Sequence, residues 1–207
     1  MAGADALFYR PSEGHGLRHD PFNAIVGPRP IGWISSLSPE GVRNLAPYSF
    51  FNAFNYAPPI VGFSSIGWKD SVANIAATGA FVWNLATRPL ADRMNATCAT
   101  VGPHVDEFKL SGLTPADSRL VAPARVLESP VNFECRLSQL IQLQSAAGEP
   151  VDSWLVLGEV VAVHIDRALL VDGVYDTAAA RPILRAGRAG DYVEVRPDAM
   201  FEMPRPR

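Results

Sequence analysis

The 207-residue sequence has little of several features that mark common protein classes. Its only cysteines are Cys98 and Cys135, and it has no CxxC pair, so it offers no disulfide framework. No apolar run approaches the roughly 20 residues that span a bilayer. The first residues lack the cationic start and apolar block of a secretory signal. We therefore expect a cytoplasmic protein without a membrane segment.

Positive charge is also scarce. The chain has 18 Lys and Arg against 21 Asp and Glu, which gives a net charge of -3. No basic field is available to attract a polyanion, which argues against a nucleic-acid partner. Hydrophobic residues make up 48% of the chain, enough for a packed core. The length fits one domain over residues 1–207, with an extended arm over 1–24 and a tail over 189–207.

Three enzyme motifs are missing. No GxGxxG occurs, and the alternation of strands and helices typical of a dinucleotide-binding sheet is absent. No GxSxG or HExxH occurs either, so serine-hydrolase and zinc-protease chemistry find no support. We assign no catalytic side chain and no metal ligand from these patterns.

The hydrophobic pattern predicts many strands and few helices. Pro47 interrupts a strand, so this strand should lie at a sheet edge or carry a bulge. The pattern favours an antiparallel β-barrel, mainly β with peripheral helices. Strands are predicted over 24–27, 31–37, 42–51, 60–64, 81–86, 131–143 and 154–165, helices over 70–78 and 89–98, and a helical turn with a loose end from 176 onward.

The loop from Ser64 to Ser71 has the composition of an anion site. Ser64, Ser65 and Ser71 carry hydroxyl groups, Lys69 carries a positive charge, and the predicted helix begins near Asp70 with free N–H groups. This donor set suits a phosphate. The alternative is an ordinary helix start, in which Asp70 or Ser71 caps the helix and Lys69 is solvated.

The segment from Asn44 to Asn52 suits a flat aromatic ligand. Its proline-broken strand should leave backbone N–H groups free, and small and amide side chains stand beside two phenylalanines. Free N–H groups can hold the negative charge that develops on a flavin during reduction. The alternative is an edge strand with two core phenylalanines.

Together these segments resemble the flavin reductase-like family. The resemblance covers residues 8–190 in order and implies a Greek-key split barrel that binds FMN. It also implies a homodimer with the flavin near the subunit interface, and reduction by NADH or NADPH. The stretches that carry it are PRPIGWISS, NLAPYSFFN, PPIVGFSS, KDSVANI, GAFVWNLA, MNATCA, VDEFKLSGLTP, ESPVNFECRL, LGEVVAVHI and ARPILRAG.

The resemblance also implies a set of cofactor-binding residues. Trp68 departs from the pattern, because a smaller or polar residue is expected before the lysine; this leaves FAD open beside FMN. The implied residues are Ser64, Ser65, Lys69, Asp70 and Ser71 at the phosphate, Asn44, Pro47, Ser49, Phe50, Phe51 and Asn52 along the ring and ribityl chain, and Trp33, Ser35 and Arg185 as further candidates.

The histidines leave several roles open. His15 and His19 lie four residues apart, but neighbouring glycines argue against a helix that would present both to a metal. His104 suits either a general acid or a local loop contact, and His164 suits a core or interface position. The activity expected is flavin reduction by NAD(P)H. The alternatives are a flavin electron carrier and an FMN-dependent enzyme for a small organic substrate.

Overall fold

The computed structural model describes residues 6–206; the first five residues of the predicted arm and Arg207 of the tail lie outside the described residues. Strand content exceeds helix content by about twofold, at 39% against 18%, which confirms the predicted mainly-β class. The strands are β1 Arg29–Pro30, β2 Gly32–Leu37, β3 Arg43–Tyr48, β4 Phe51–Tyr56, β5 Pro59–Ile66, β6 Ala80–Asn84, β7 Pro115–Ala116, β8 Arg125–Val126, β9 Val131–Gln144, β10 Pro150–Ile165, β11 Leu170–Val171, β12 Val174–Tyr175, β13 Ile183–Arg185 and β14 Tyr192–Glu194.

Short helices cover the outside of the sheet. The α-helices are α1 Phe22–Ile25, α2 Asp70–Thr78, α3 Ala91–Ala96 and α4 Glu107–Ser111, and single 3₁₀ turns occupy Pro11–Glu13, Arg88–Leu90, Arg167–Leu169 and Pro197–Ala199. The sequence predicts the bounds of α2 because its apolar residues recur at helical spacing and Gly79 ends it in the left-handed conformation, at φ 73°.

Seven strands form one antiparallel sheet in the order β3-β2-β6-β9-β10-β5-β4. Strands β3 and β4 follow each other in the chain but lie at opposite ends of this order. The two ends meet, because the Ser64 N–H donates to the Phe50 carbonyl at 2.8 Å and the rings of Tyr48 and Phe63 lie 4.4 Å apart. The sheet therefore curls into a barrel, and β3 with its Pro47 lies at an edge as predicted.

Strand β2 separates two hydrophobic cores. Ile34 points into the barrel with Phe63 and Phe81. The adjacent Trp33 points the other way and packs with Phe108 in a second core under α3 and α4. Successive side chains of a strand face opposite sides, so a helical cover lets β2 be buried on both faces. This arrangement fixes α4 and the segment after α3 against β3, where the candidate site lies.

Three local predictions are wrong. Residues 24–27 do not form a strand: α1 and the turn at Gly27–Pro28 take their place. Strand β4 was not anticipated, because its side chains are largely exposed and show no clear alternation of apolar and polar residues. The tail is more than a loose end, since β13 pairs with both β14 and β1. Such short strands depend on distant partners that local sequence does not reveal.

No helix between residues 6 and 206 is long and apolar enough to cross a membrane.

Candidate functional site

A cavity of about 590 Å³ opens where β3, the start of α2 and the segment after α3 meet. Five separate parts of the chain build it, which is typical of ligand sites placed between elements. Its wall consists of Asn23, Asn44, Ala46, Pro47, Tyr48, Ser49, Phe50, Ser64, Ile66, Lys69, Asp70, Ser71, Thr97, Cys98, Ala99, Thr100, Val101 and Glu107. The structure thus brings eight of the predicted residues together: Asn44, Pro47, Ser49, Phe50, Ser64, Lys69, Asp70 and Ser71.

The start of α2 forms one wall of the cavity. Lys69 takes the N-cap position in an extended conformation, and no side chain caps the helix. The backbone N–H groups of Asp70, Ser71 and Val72 have no acceptor among residues 6–206. The alternative of an ordinary helix start is therefore wrong in its cap by Asp70 or Ser71, whereas Lys69 is exposed, as that alternative expected. Three unsatisfied donors at the positive end of a helix dipole, beside one ammonium group, form an anion-binding arrangement.

A buried polar network fixes this helix start against the sheet. The Ser71 hydroxyl donates to Asn44 Oδ1 at 2.7 Å, and the Ser36 hydroxyl reaches the same oxygen at 3.2 Å. The Asn74 amide in turn donates to Ser36 at 3.3 Å. Because the Ser71 proton is donated to Asn44, the Ser71 oxygen meets a ligand as an acceptor, not as the donor that the sequence suggested.

Glu107 closes the floor of the cavity. Its carboxylate accepts the Leu45 N–H at 3.0 Å, and its side chain is almost fully buried. Burial raises the pKa of the Glu107 carboxyl; hydrogen bonds from Leu45 and Asn44 oppose this rise, and the nearby Asp70 carboxylate adds to it. The outer edge of β3 therefore offers no free N–H there, since Leu45 is taken and Pro47 has none.

Free backbone donors occur one step further along the chain. The bend between β3 and β4 consists of Ser49 and Phe50, and the N–H groups of both lack an acceptor among residues 6–206. Both residues line the cavity. The prediction that a broken strand leaves N–H groups for a ligand thus applies to this bend and not to Pro47 itself.

Six predicted residues do not line the cavity, and each has another engagement. Trp33 and Ser35 are fully buried: the indole donates to the Thr97 hydroxyl at 3.1 Å, and the Ser35 hydroxyl donates to the Ala124 carbonyl. Phe51 stacks on Trp83 at 5.5 Å, and Asn52 is exposed on β4. Ser65 donates to the Gly67 carbonyl at 2.9 Å, and Arg185 donates to three carbonyls of the β13–β14 connection.

Several lining residues were not predicted from the sequence. They include Tyr48, Glu107 and the stretch 97–101. Tyr48 lies four residues after the predicted Asn44 on β3 and therefore on the same face of the strand, so a register argument could have found it. The other two lie more than 45 residues away from β3, in loops whose position depends on the second core. No local pattern identifies such residues.

Two tryptophans meet at the loop from Ser64 to Ser71, which contains Trp68. Trp68 is about half exposed and meets Trp154 edge-on, with ring centroids 4.5 Å apart. Trp68 does not line the cavity. Its unexpected size is therefore accommodated by the neighbouring Trp154 of β10, while Lys69 remains on the cavity wall.

His15 and His164 make different contacts in the structure. The His15 ring accepts the Leu17 N–H at 2.9 Å, which fits a local turn in the arm. His164 pairs with the buried Glu134 at 2.6 Å, as expected for a satisfied core or interface residue. Within residues 6–206, no three His, Cys, Asp or Glu side chains form a group suited to a metal ion.

Comparisons with known proteins agree with the sequence resemblance. A family model described as "Flavin reductase like domain" matches residues 27–183. An uncharacterized protein of Halalkalibacterium halodurans is 32% identical over 200 residues, which cover 91% of this chain and 92% of that protein.

Two solved structures extend the comparison to the fold. Nitrilotriacetate monooxygenase component B from Bacillus cereus superposes with a TM-score of 0.86 at 28% identity, covering 97% of this chain and all of that one. The 2-nitrobenzoate 2-nitroreductase of Pseudomonas fluorescens gives a TM-score of 0.77 at 26% identity, over 88% of each chain. The predicted split-barrel fold is confirmed.

Proposed function

The chain belongs to the flavin reductase-like family, and from this premise we propose that it binds FMN and reduces it with NADH or NADPH. The family match and the related structures support a flavin-related oxidoreductase. The proposal goes further in naming FMN, the nicotinamide donor and the residues that bind the cofactor.

One observation carries the proposal: the uncapped start of α2 faces a cavity of ligand size. Three unsatisfied N–H groups, at Asp70, Ser71 and Val72, stand beside Lys69. The donor chemistry fits a phosphate ester, and the cavity volume of about 590 Å³ lies within the range common for small-molecule sites. Asp70 and Glu107 bring negative charge to the same cavity, so Lys69 and the helix dipole must outweigh them.

The rest of the cavity fits a flat ring. Pro47 and Phe50 offer apolar surface, and the free N–H groups of Ser49 and Phe50 would face the polar edge of a flavin. Bound FMN supplies the hydride chemistry. The chain's own residues would hold the phosphate, orient the ring and place N–H donors where negative charge develops. A protein that only binds and orients its cofactor needs no catalytic side chain, which fits a sequence without a catalytic motif.

The proposal includes a homodimer with FMN near the subunit interface. Ile66 lines the cavity and is 64% exposed, and the adjacent Trp68 is 49% exposed. On the free edge strand β4, the Tyr56 side chain is 95% exposed. Apolar side chains beside the cavity, and a sheet edge that has no partner strand within residues 6–206, support a second copy of the chain as their cover.

A second candidate is an FMN-dependent enzyme that acts directly on a small organic substrate. The likeness to the Pseudomonas fluorescens nitroreductase favours it. The family model described as "Flavin reductase like domain", which matches residues 27–183, favours the primary proposal.

Flavin titration followed by reduction tests the proposal. Purified protein should bind FMN and quench its fluorescence. In stopped-flow mixing with NADH or NADPH, the absorbance of the oxidised flavin should then disappear at a rate fast enough to support turnover. A protein that binds no added FMN contradicts the proposal. A flavin that binds but is reduced by neither nicotinamide supports an electron carrier, and reoxidation only by an organic substrate supports the second candidate.

A further inference from the structure

A second cavity, of about 660 Å³, lies far from the first. Its wall combines the loop before β9 with the end of β10, and it shares no residue with the flavin cavity. Ser153 of β10 pairs with Ile66 at the flavin cavity, whereas the second cavity begins at Ala162 on the same strand. Nine residues of strand separate these points by about 30 Å, at roughly 3.3 Å per residue.

Three arginines line this cavity: Arg119, Arg125 and Arg167. Arg125 is held in place, because it donates to the Asp117 carbonyl and to Asn132 Oδ1, both at 3.2 Å. The guanidinium groups of Arg119 and Arg167 make no hydrogen bond or ion pair with any side chain or backbone group in the described part of the chain, residues 6–206. Guanidinium groups match carboxylates and phosphates through paired hydrogen bonds.

The acidic residues of the wall are already engaged. Glu128 accepts from Arg93 at 3.4 Å and from the Thr114 N–H at 3.2 Å. The Asp166 carboxylate accepts the Ala168 N–H at 2.9 Å and so caps the 3₁₀ turn that follows β10. Neither acid pairs with a cavity arginine, and three arginines against two acids leave the wall with a net positive charge.

A buried carboxylate gives the cavity a rigid base. Glu134 is fully buried and accepts the N–H groups of Arg119 at 2.7 Å and Leu120 at 2.6 Å. It also contacts His164 Nε2 at 2.6 Å. Burial alone would raise the pKa of Glu134, but these hydrogen bonds outweigh it and lower the pKa below its ordinary value. The Glu134 carboxylate is thus satisfied by these hydrogen bonds, and it holds the Arg119 backbone and the His164 ring in place.

We propose that this cavity is a second ligand site, which binds a small molecule through a phosphate or carboxylate group on Arg119, Arg125 and Arg167. One arginine is pre-positioned, two have no competing partner, and the wall is polar. The ligand is therefore an oxyanion: a phosphate ester or a polycarboxylate. Because this cavity shares no residue with the first, ligand binding here can be tested independently of the proposed reductase activity.

Calorimetric titration of the full chain with inorganic phosphate and, separately, with citrate tests this site. At least one probe should bind, and the double variant Arg119→Gln/Arg167→Gln should weaken binding about tenfold or more, because it removes charge-assisted hydrogen bonds. Binding of phosphate alone that the double variant weakens points to a phosphorylated ligand, and binding of citrate alone that the double variant weakens points to a polycarboxylate. FMN affinity should be unchanged in the double variant.

Arg136→Gln is the matched control, since Arg136 is exposed on β9 and lines neither cavity. If Arg136→Gln weakens ligand binding as much as the double variant does, the loss reflects only the change in net charge, and the proposal is overturned. Failure of both probes to bind the unaltered chain would also overturn it. If neither probe binds and the double variant changes the oligomeric state, the arginines belong to a contact between copies, and the ligand site is excluded.

Discussion

Lys69 is the single residue on which the proposed phosphate site depends most. It is one of two lysines in the chain, it is exposed, and it stands at the uncapped start of α2. Lys69→Ala should weaken FMN binding roughly ten- to hundredfold, because a charge-assisted hydrogen bond to phosphate contributes about 1.5–3 kcal/mol. Its exposure means that the free energy of unfolding should hardly change. Fluorescence titration and chemical denaturation measure the two quantities.

The other lysine provides a matched control. Lys109 is exposed on α4 and does not line the cavity. Lys109→Ala should therefore leave FMN affinity unchanged. If the Lys69→Ala and unaltered proteins bind FMN with equal affinity, the Lys69 ammonium group does not contact the phosphate.

Glu107 should make stability depend on pH. Burial raises the pKa of its carboxyl, so over the affected range the folded chain binds more protons than the unfolded chain. The stabilisation from this group is complete below the unfolded-state pKa and is lost as pH rises through the folded-state pKa. Glu107→Gln lacks this loss, so as pH rises above the range in which an ordinary carboxyl titrates, the difference in unfolding free energy should shift in favour of the variant.

Urea denaturation of both proteins across this pH range checks the prediction. Glu159→Gln removes an exposed carboxyl on β10 and serves as the control. A constant difference between the Glu107→Gln and unaltered proteins at every pH would contradict the assignment.

The place of Lys69 on the cavity wall could be predicted from the sequence, but the place of Glu107 could not. Lys69 lies in a loop whose serines, glycine and following helix pattern are all local. Glu107 reaches the cavity only because α4 packs against β3 through the second core. Ser71 shows the intermediate case: its position is predictable, but the direction of its hydrogen bond depends on Asn44, 27 residues away.

Among the elements, the packing between β10 and β6, which lie on either side of β9, depends on one glycine. A Cβ at Gly158 would collide with the Phe81 ring and lie 3.1 Å from Cys135 Cβ. Phe81 is fully buried in the barrel core, so it has no free space to move into. Gly158→Ala should therefore destabilise the fold by about 1–3 kcal/mol through overpacking.

Thermal or urea unfolding measures this loss, with Gly102→Ala as the comparison. A Cβ at Gly102 meets no atom within 4 Å. Comparable stability of the two variants would show that β6 and β10 are less tightly packed than the distances indicate.

Elements differ in how far their sequence determines them. Helix α2 was predictable because periodic apolar residues and Gly79 act locally, and β9 because its apolar residues alternate over 14 residues. Strand β4 was not, since its side chains are exposed and its pairing with β5 comes from the hairpin. The β1–β13–β14 sheet joins residues more than 150 positions apart, a contact that only the folded chain defines.

For the whole molecule, the curled sheet carries two cavities that share no residue and lie about 30 Å apart along β10. The cavity at the start of α2 lies at the junction of the sheet's two ends, where strand pairing stops and backbone N–H groups of residues 6–206 remain without an acceptor. The arginine-lined cavity lies beyond the far end of β10, where the chain leaves the sheet. Both sites therefore occur where regular hydrogen bonding ends and polar groups become available to ligands.

The assembled molecule should contain two chains, with flavin binding linked to assembly. A cavity completed by a second copy binds FMN more tightly in the dimer, so FMN must in turn stabilise the dimer by the same free energy. Sedimentation equilibrium should give twice the chain mass of 22.3 kDa. Saturating FMN should lower the protein concentration at which the dimer dissociates, whereas riboflavin, which lacks the phosphate, should shift it less. A mass of one chain at all concentrations would exclude the dimer, and a dissociation midpoint indifferent to FMN would place the cofactor away from the interface.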